Sequence, residues 1–96
     1  MENENRETIV EYSIYKQQSF LRITGVKKSA VKQLVDYSTS FEALKQEFDN
    51  MKSDMPVIDK EEMNLNGQYE RYSLVMNVYD ENDTIIHSED CAEFYV

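Results

Sequence analysis

The chain has 96 residues, 41% hydrophobic and 30% charged, with a formal net charge of −9, two glycines, one proline and one cysteine. That length holds one domain, residues 1–96, with a single modest core. The composition excludes low-complexity and collagen-like order, one cysteine excludes an intrachain disulfide, and no apolar run approaches the roughly 20 residues that span a bilayer.

The start, MENENRET, is polar and acidic, without the basic-then-apolar order of a secretory signal. We therefore expect residues 1–6 to be frayed and the protein to be cytoplasmic. Glu7–Tyr15 alternates Thr8, Val10, Tyr12 and Ile14 against Glu7, Ile9, Glu11 and Ser13, which predicts a strand with one better-buried face. Lys16–Gln18 then reads as a tight reversal into a second strand, Ser19–Thr24, which Gly25 ends. Ala30–Tyr37 fits either period. Ser29 as a cap and the good helix formers Ala30, Lys32, Gln33 and Leu34 favour a helix there.

Thr39 and Glu42 have capping-box spacing, and Phe41, Leu44, Phe48 and Met51 recur as one apolar stripe. This predicts an amphipathic helix of three to four turns, stopped by Pro56. Val57–Gly67 reads as a loop with a turn at Asn66–Gly67. Gln68–Tyr79 is the strongest strand signal, with Tyr72, Leu74, Met76 and Val78 on one face and Arg71, Ser73, Val75, Asn77 and Tyr79 on the other. Asp80–Asp83 is a loop of turn formers, and Thr84–Val96 returns antiparallel. Ile85 continues the apolar face, yet Ala92, Phe94 and Val96 have the opposite parity. One extra residue near Ser88–Asp90, a β-bulge, repairs the pattern. The expected fold is α+β: a small antiparallel sheet in the order β-β-α-β-β, with one main amphipathic helix packed on one face.

The charge is uneven. Residues 1–48 balance seven acids with seven bases, whereas residues 49–96 hold twelve acids against Lys52, Lys60 and Arg71. Such asymmetry speaks to partners rather than fold. It argues against direct nucleic-acid binding, which needs clustered cations; Lys27, Lys28, Lys32 and Arg22 read as a solvated edge.

The final hairpin concentrates the chemistry-bearing residues. His87 and Cys91 are four apart, about 13 Å along a strand, so they form no local dyad. Asp80 and Asn82 begin like a calcium loop, but Ile85 stands where the loop needs glycine and Cys91 where it needs glutamate. One His and one Cys are too few for a zinc site. No metal, cofactor or catalytic residue is expected, and the chain is not read as an enzyme. What remains is an acidic ridge built from Glu70, Asp80, Glu81, Asp83, Glu89, Asp90 and Glu93, with Tyr79 and the other tyrosines Tyr69, Tyr72 and Tyr95 interleaved. Tyrosine supplies broad amphipathic contact at low entropic cost.

In size, acidity and lack of a catalytic motif the chain resembles the small inhibitor proteins that phages direct against bacterial enzymes, among them anti-CRISPR proteins and uracil-DNA glycosylase inhibitors. The resemblance is one of general character and covers no aligned stretch. The excess of lysine over arginine and the seven asparagines and seven tyrosines are what AT-rich coding produces, in keeping with a phage, plasmid or low-GC bacterium. The expectation is a non-catalytic protein-binding module whose acidic C-terminal hairpin engages a basic protein partner, an enzyme or regulator that processes nucleic acid. The alternative is a homodimer or larger assembly joined through sheet edges or an apolar face.

Overall fold

The computed structural model describes residues 8–21 and 27–96. The expected fraying of residues 1–6 and the strand end at Arg22–Gly25 lie outside them. The chain is α+β, one antiparallel sheet with two helices: β1 (Ile9–Leu21), β2 (Lys27–Ser29), β3 (Gln33–Ser38), α1 (Phe41–Asp54), α2 (Lys60–Asn66), β4 (Gln68–Tyr79) and β5 (Ile85–Tyr95). Strands run in the order β2-β1-β4-β5, and β3 shares the outer edge of β1 with β2.

Lys16–Gln18 is not a reversal. β1 runs straight through it, because β4 offers a ladder of matching length from Ile9↔Tyr79 to Phe20↔Gln68. The polar residues are satisfied in place: Gln17 Nε2 donates to the Ala30 carbonyl at 2.8 Å, and Lys16 lies 3.8 Å from Glu70. Polar side chains at a lightly covered strand end mimic a turn in sequence.

The expected helix at Ala30–Tyr37 is also a strand, β3, paired with β1 from Tyr12↔Ser38 to Lys16↔Gln33. Pairing with an open strand edge outweighs a propensity difference of a few tenths of a kcal/mol per residue.

α1 forms as its apolar stripe predicts, with a shifted cap. Ser40, not Thr39, is the N-cap, its Oγ accepting from the Ala43 N–H at 3.2 Å. Leu44 and Phe48 are buried, Met51 is half-buried, and Phe41 remains 39% exposed while packing its ring 5.0 Å from Tyr12. Met55 ends the helix in extended backbone just before Pro56.

The core lies between α1 and one sheet face: Leu44 and Phe48 meet Ile14, Tyr72, Leu74 and Phe94. Phe94 stacks on its cross-strand neighbour Tyr72 (5.0 Å, 7° between planes) and meets Phe48 at 5.0 Å and 60°. Such contacts add about 0.5–1.5 kcal/mol each beyond burial.

Val57–Gly67 is not the expected loop throughout but contains α2. Its Asp59 cap accepts from the Glu62 N–H at 2.8 Å, and Gly67 closes it at φ 69°. The Ile58 N–H donates to the Tyr95 carbonyl at 2.8 Å, tying this segment to β5.

β4 has the predicted bounds. In β5 the register slips twice: Cys91 is the extra residue between Asp90 and Ala92, and Ile86 between Ile85 and His87. The expected bulge at Ser88–Asp90 is therefore one residue later, with a second before it. That second slip places Ile85 opposite Tyr79, away from the core and 48% exposed, rather than on the apolar face. Val35 is likewise an extra residue in β3. The long β1–β4 ladder is unbulged, while the edge strands β3 and β5 are bulged. Bulged edges resist strand addition.

Candidate functional site

One face of the sheet packs against α1 through the Leu44 and Phe48 core; the opposite, open face lies away from that core. Alternation along the strands puts Ile9, Glu11, Ser13 and Tyr15 of β1 on the open face, with Arg71, Ser73, Val75, Asn77 and Tyr79 of β4. β5 adds Ile85, Ser88, Asp90, Glu93 and Tyr95. The floor is small and polar: Ser13, Ser73 and Asn77 are each 2% exposed beneath larger neighbours. Asn77 is satisfied, donating from Nδ2 to Tyr15 Oη at 3.3 Å and accepting from Ser88 Oγ at 2.7 Å. Lys32 reaches over the Tyr15 ring, 5.7 Å from its centroid. Tyr15, Lys32, Asn77 and Ser88, with Val75, Ile85 and Asp90, bound a shallow depression of about 380 Å³.

The sequence-predicted site residues do not form one ridge. Glu70 lies on the α1 side near Lys16, away from the hairpin tip. Asp80 is committed to its own turn: its carboxylate accepts from the Asn82 N–H at 2.8 Å and the Thr84 N–H at 3.0 Å. Glu81 and Asp83 are exposed at the tip, Asp83 with φ 61°. Glu89 is exposed opposite Met76, on the parity of the α1 face.

Asp90 and Glu93 reach the open face, where Arg71 holds both. Arg71 Nε donates to Glu93 Oε2 at 2.7 Å, and Arg71 Nη2 to Asp90 Oδ2 at 3.0 Å. Hydrogen bonding from Arg71 holds the Glu93 carboxyl below the usual range. Burial works against the Arg71 charge, but its bonds to Glu93 and Asp90 outweigh that and raise its pKa.

Tyr79 sits on the open face and donates from Oη to Glu11 Oε1 at 3.5 Å. Burial, then the Glu11 carboxylate, pushes the phenol up. Beside it, Ile9, Glu11, Tyr79 and Asp83 line a second cavity of about 260 Å³. Of the other tyrosines, Tyr72 belongs to the core at 6% exposed and offers no contact surface. Tyr69 is 8% exposed and meets the Tyr95 ring edge-on at 5.6 Å.

His87 is paired with Val78, while Cys91 stands in its bulge with Sγ donating to the Glu89 carbonyl at 3.8 Å. Burial, then the Glu89 charge, raises the Cys91 thiol, away from the reactive thiolate. Among the described residues no three His, Cys, Asp or Glu side chains are grouped to hold a metal ion, and no helix is long and apolar enough to cross a membrane.

Ile9, Glu11, Tyr15 and Lys32 were missed as site residues. They precede the hairpin tip, Asp80–Asp83, by 48 to 74 positions and join it through the β1–β4 and β1–β3 ladders. The alternation of β1 did mark Ile9 and Glu11 as sharing the less apolar face. Compared with known proteins, the chain matches no family model, no curated relative and no solved structure.

Proposed function

We propose that the protein is a non-catalytic binding module that docks on a basic protein surface through its acidic C-terminal hairpin, acting as an inhibitor or regulator of a nucleic-acid-processing partner. One observation carries this reading. Residues 81–91 are exposed throughout, and Glu81, Asp83 and Glu89 stand outside every ion pair among the described residues. Hydrated, uncompensated carboxylates steer a cationic partner and accelerate its association without fixing its identity. The edge strands β3 and β5 are bulged, which disfavours strand addition there and favours docking through side chains.

The test is capture from lysate of the native host, with the tagged chain and its E81Q/E89Q variant compared at low salt and at about 0.5 M salt. The reading predicts one prominent, basic, nucleic-acid-handling protein, lost in the variant and at high salt. Equal capture under all four conditions overturns it.

A second reading, self-association through β3, is favoured by the exposure of Val31 (86%), Leu34 (54%) and Tyr37 (58%) on that edge. Light scattering at micromolar concentration separates the two, because a strict monomer contradicts the second.

A further inference from the structure

Resting on the proposed docking role, we infer that the Ile9 end of the open sheet face is the anchor of the interface, seating one arginine side chain of the partner protein in the cavity between Glu11 and Asp83.

Among the described residues the open face carries four acids: Glu11, Asp83, Asp90 and Glu93. Arg71 neutralises Asp90 and Glu93 from the middle of the sheet. Lys32 is placed over Tyr15, at the other cavity. Glu11 and Asp83 have no cation among the described residues, and the one bond Glu11 makes is the long 3.5 Å contact from Tyr79. Among the described residues, negative charge at this end is thus uncompensated.

Its surroundings suit a guanidinium better than a hydrated ion. The two carboxylates come from separate elements, β1 and the β4–β5 turn, and face one cavity of about 260 Å³. A planar fork of N–H donors can serve both, which a point-charge ammonium does less well. Ile9, 50% exposed, offers apolar contact for the side-chain methylenes, and the Tyr79 ring offers an aromatic wall. Exposed Ile85 and Leu34 extend apolar surface along the same face, so the segment bearing the arginine has more to rest on. A cluster of acids alone would hold loosely bound cations; a cavity that pairs two uncompensated acids with an apolar and an aromatic wall selects a side chain.

The test is an NMR titration of the full chain at about 50 mM salt, with four probes: acetyl-arginine amide, acetyl-lysine amide, acetyl-citrulline amide and a nona-arginine peptide. Glu11→Gln and Asp83→Asn keep an acceptor for Tyr79 and a residue tolerant of positive φ, so the fold is retained. The expected result is a millimolar-range titration by acetyl-arginine amide, with shifts confined to Ile9, Glu11, Tyr79 and Asp83. Acetyl-citrulline amide gives none, and the E11Q/D83N variant loses the arginine response at least tenfold. Shifts spread evenly over Glu81, Glu89 and Glu93, or an unaltered response in the variant, overturn the inference. An equal response to acetyl-lysine amide also overturns it. If the single arginine fails while nona-arginine still shifts the hairpin, the anchor is wrong and the docking role survives. If neither binds, both fall.

Discussion

Replacing Arg71 with glutamine removes the one cation that holds Asp90 and Glu93 to β4. The Arg71 side chain is 20% exposed, while its partners are 55% and 33% exposed, so the pairs are partly screened. Exposed ion pairs contribute about 0–1 kcal/mol each. Two sharing one partly buried guanidinium place the cost of R71Q near the top of that range for each, about 1–2 kcal/mol in all. For a domain this size the urea midpoint falls by about 1 M with the slope unchanged. The variant also tests the cause. The folded Glu93 carboxyl is lowered by its bond to Arg71, so its contribution is present above the unfolded value of 4.5 and is lost as pH falls through the folded value. R71Q brings Glu93 back toward its ordinary range and flattens that acid limb. The assay is urea denaturation from pH 3 to 7, with the Glu93 carboxyl followed by carbon-detected NMR. An unchanged midpoint together with an unchanged Glu93 titration refutes the reasoning.

Phe48→Ala, at the centre of the core, costs about 3–5 kcal/mol by calorimetry, a large share of the stability of such a domain. Asp80→Ala removes the acceptor for two turn N–H groups and costs about 1–2 kcal/mol in urea, whereas Asp80→Asn retains most of it. Asp36 of β3 and Glu47 of α1 act on each other's carboxyl, lowering Asp36 and raising Glu47. Hydrogen bonding to Asp36 raises Glu47, so its contribution is complete below its unfolded value of 4.5 and is lost as pH rises through the folded value. Glu47→Gln, which keeps a donor to Asp36 at every pH, therefore raises the urea midpoint at pH 7 and leaves it nearly unchanged at pH 3.

The periodic signals were legible where one face was buried and the other wet. β4 and α1 were readable because Tyr72–Leu74 and Leu44–Phe48 repeat with the period of their own element. β3 was not, because its six residues are mostly exposed and owe their form to pairing with β1. β1 appeared to break at Lys16–Gln18 because α1, about 21 Å long, cannot cover a 13-residue strand of about 43 Å. The far end is left free to be polar. α2 did have a signal, Asp59 followed by Glu62 and closed by Gly67, but its seven residues hold no apolar stripe. For the site, the outward-facing acids of the hairpin were readable. The neutralisation of Asp90 and Glu93 by Arg71 depends on the β4–β5 register, which bulges at Ile86 and Cys91 reset, while the arrival of Glu11 beside Asp83 depends on the long-range β1–β4 ladder.

The decisive measurement is the association rate constant of the chain with its captured partner, by surface plasmon resonance between about 0.05 and 0.5 M salt. If the outward carboxylates of the hairpin guide docking, that rate drops at least tenfold across the range for the native chain and is nearly flat for E81Q/E89Q, with dissociation little altered. A salt-insensitive rate in the native chain contradicts the account.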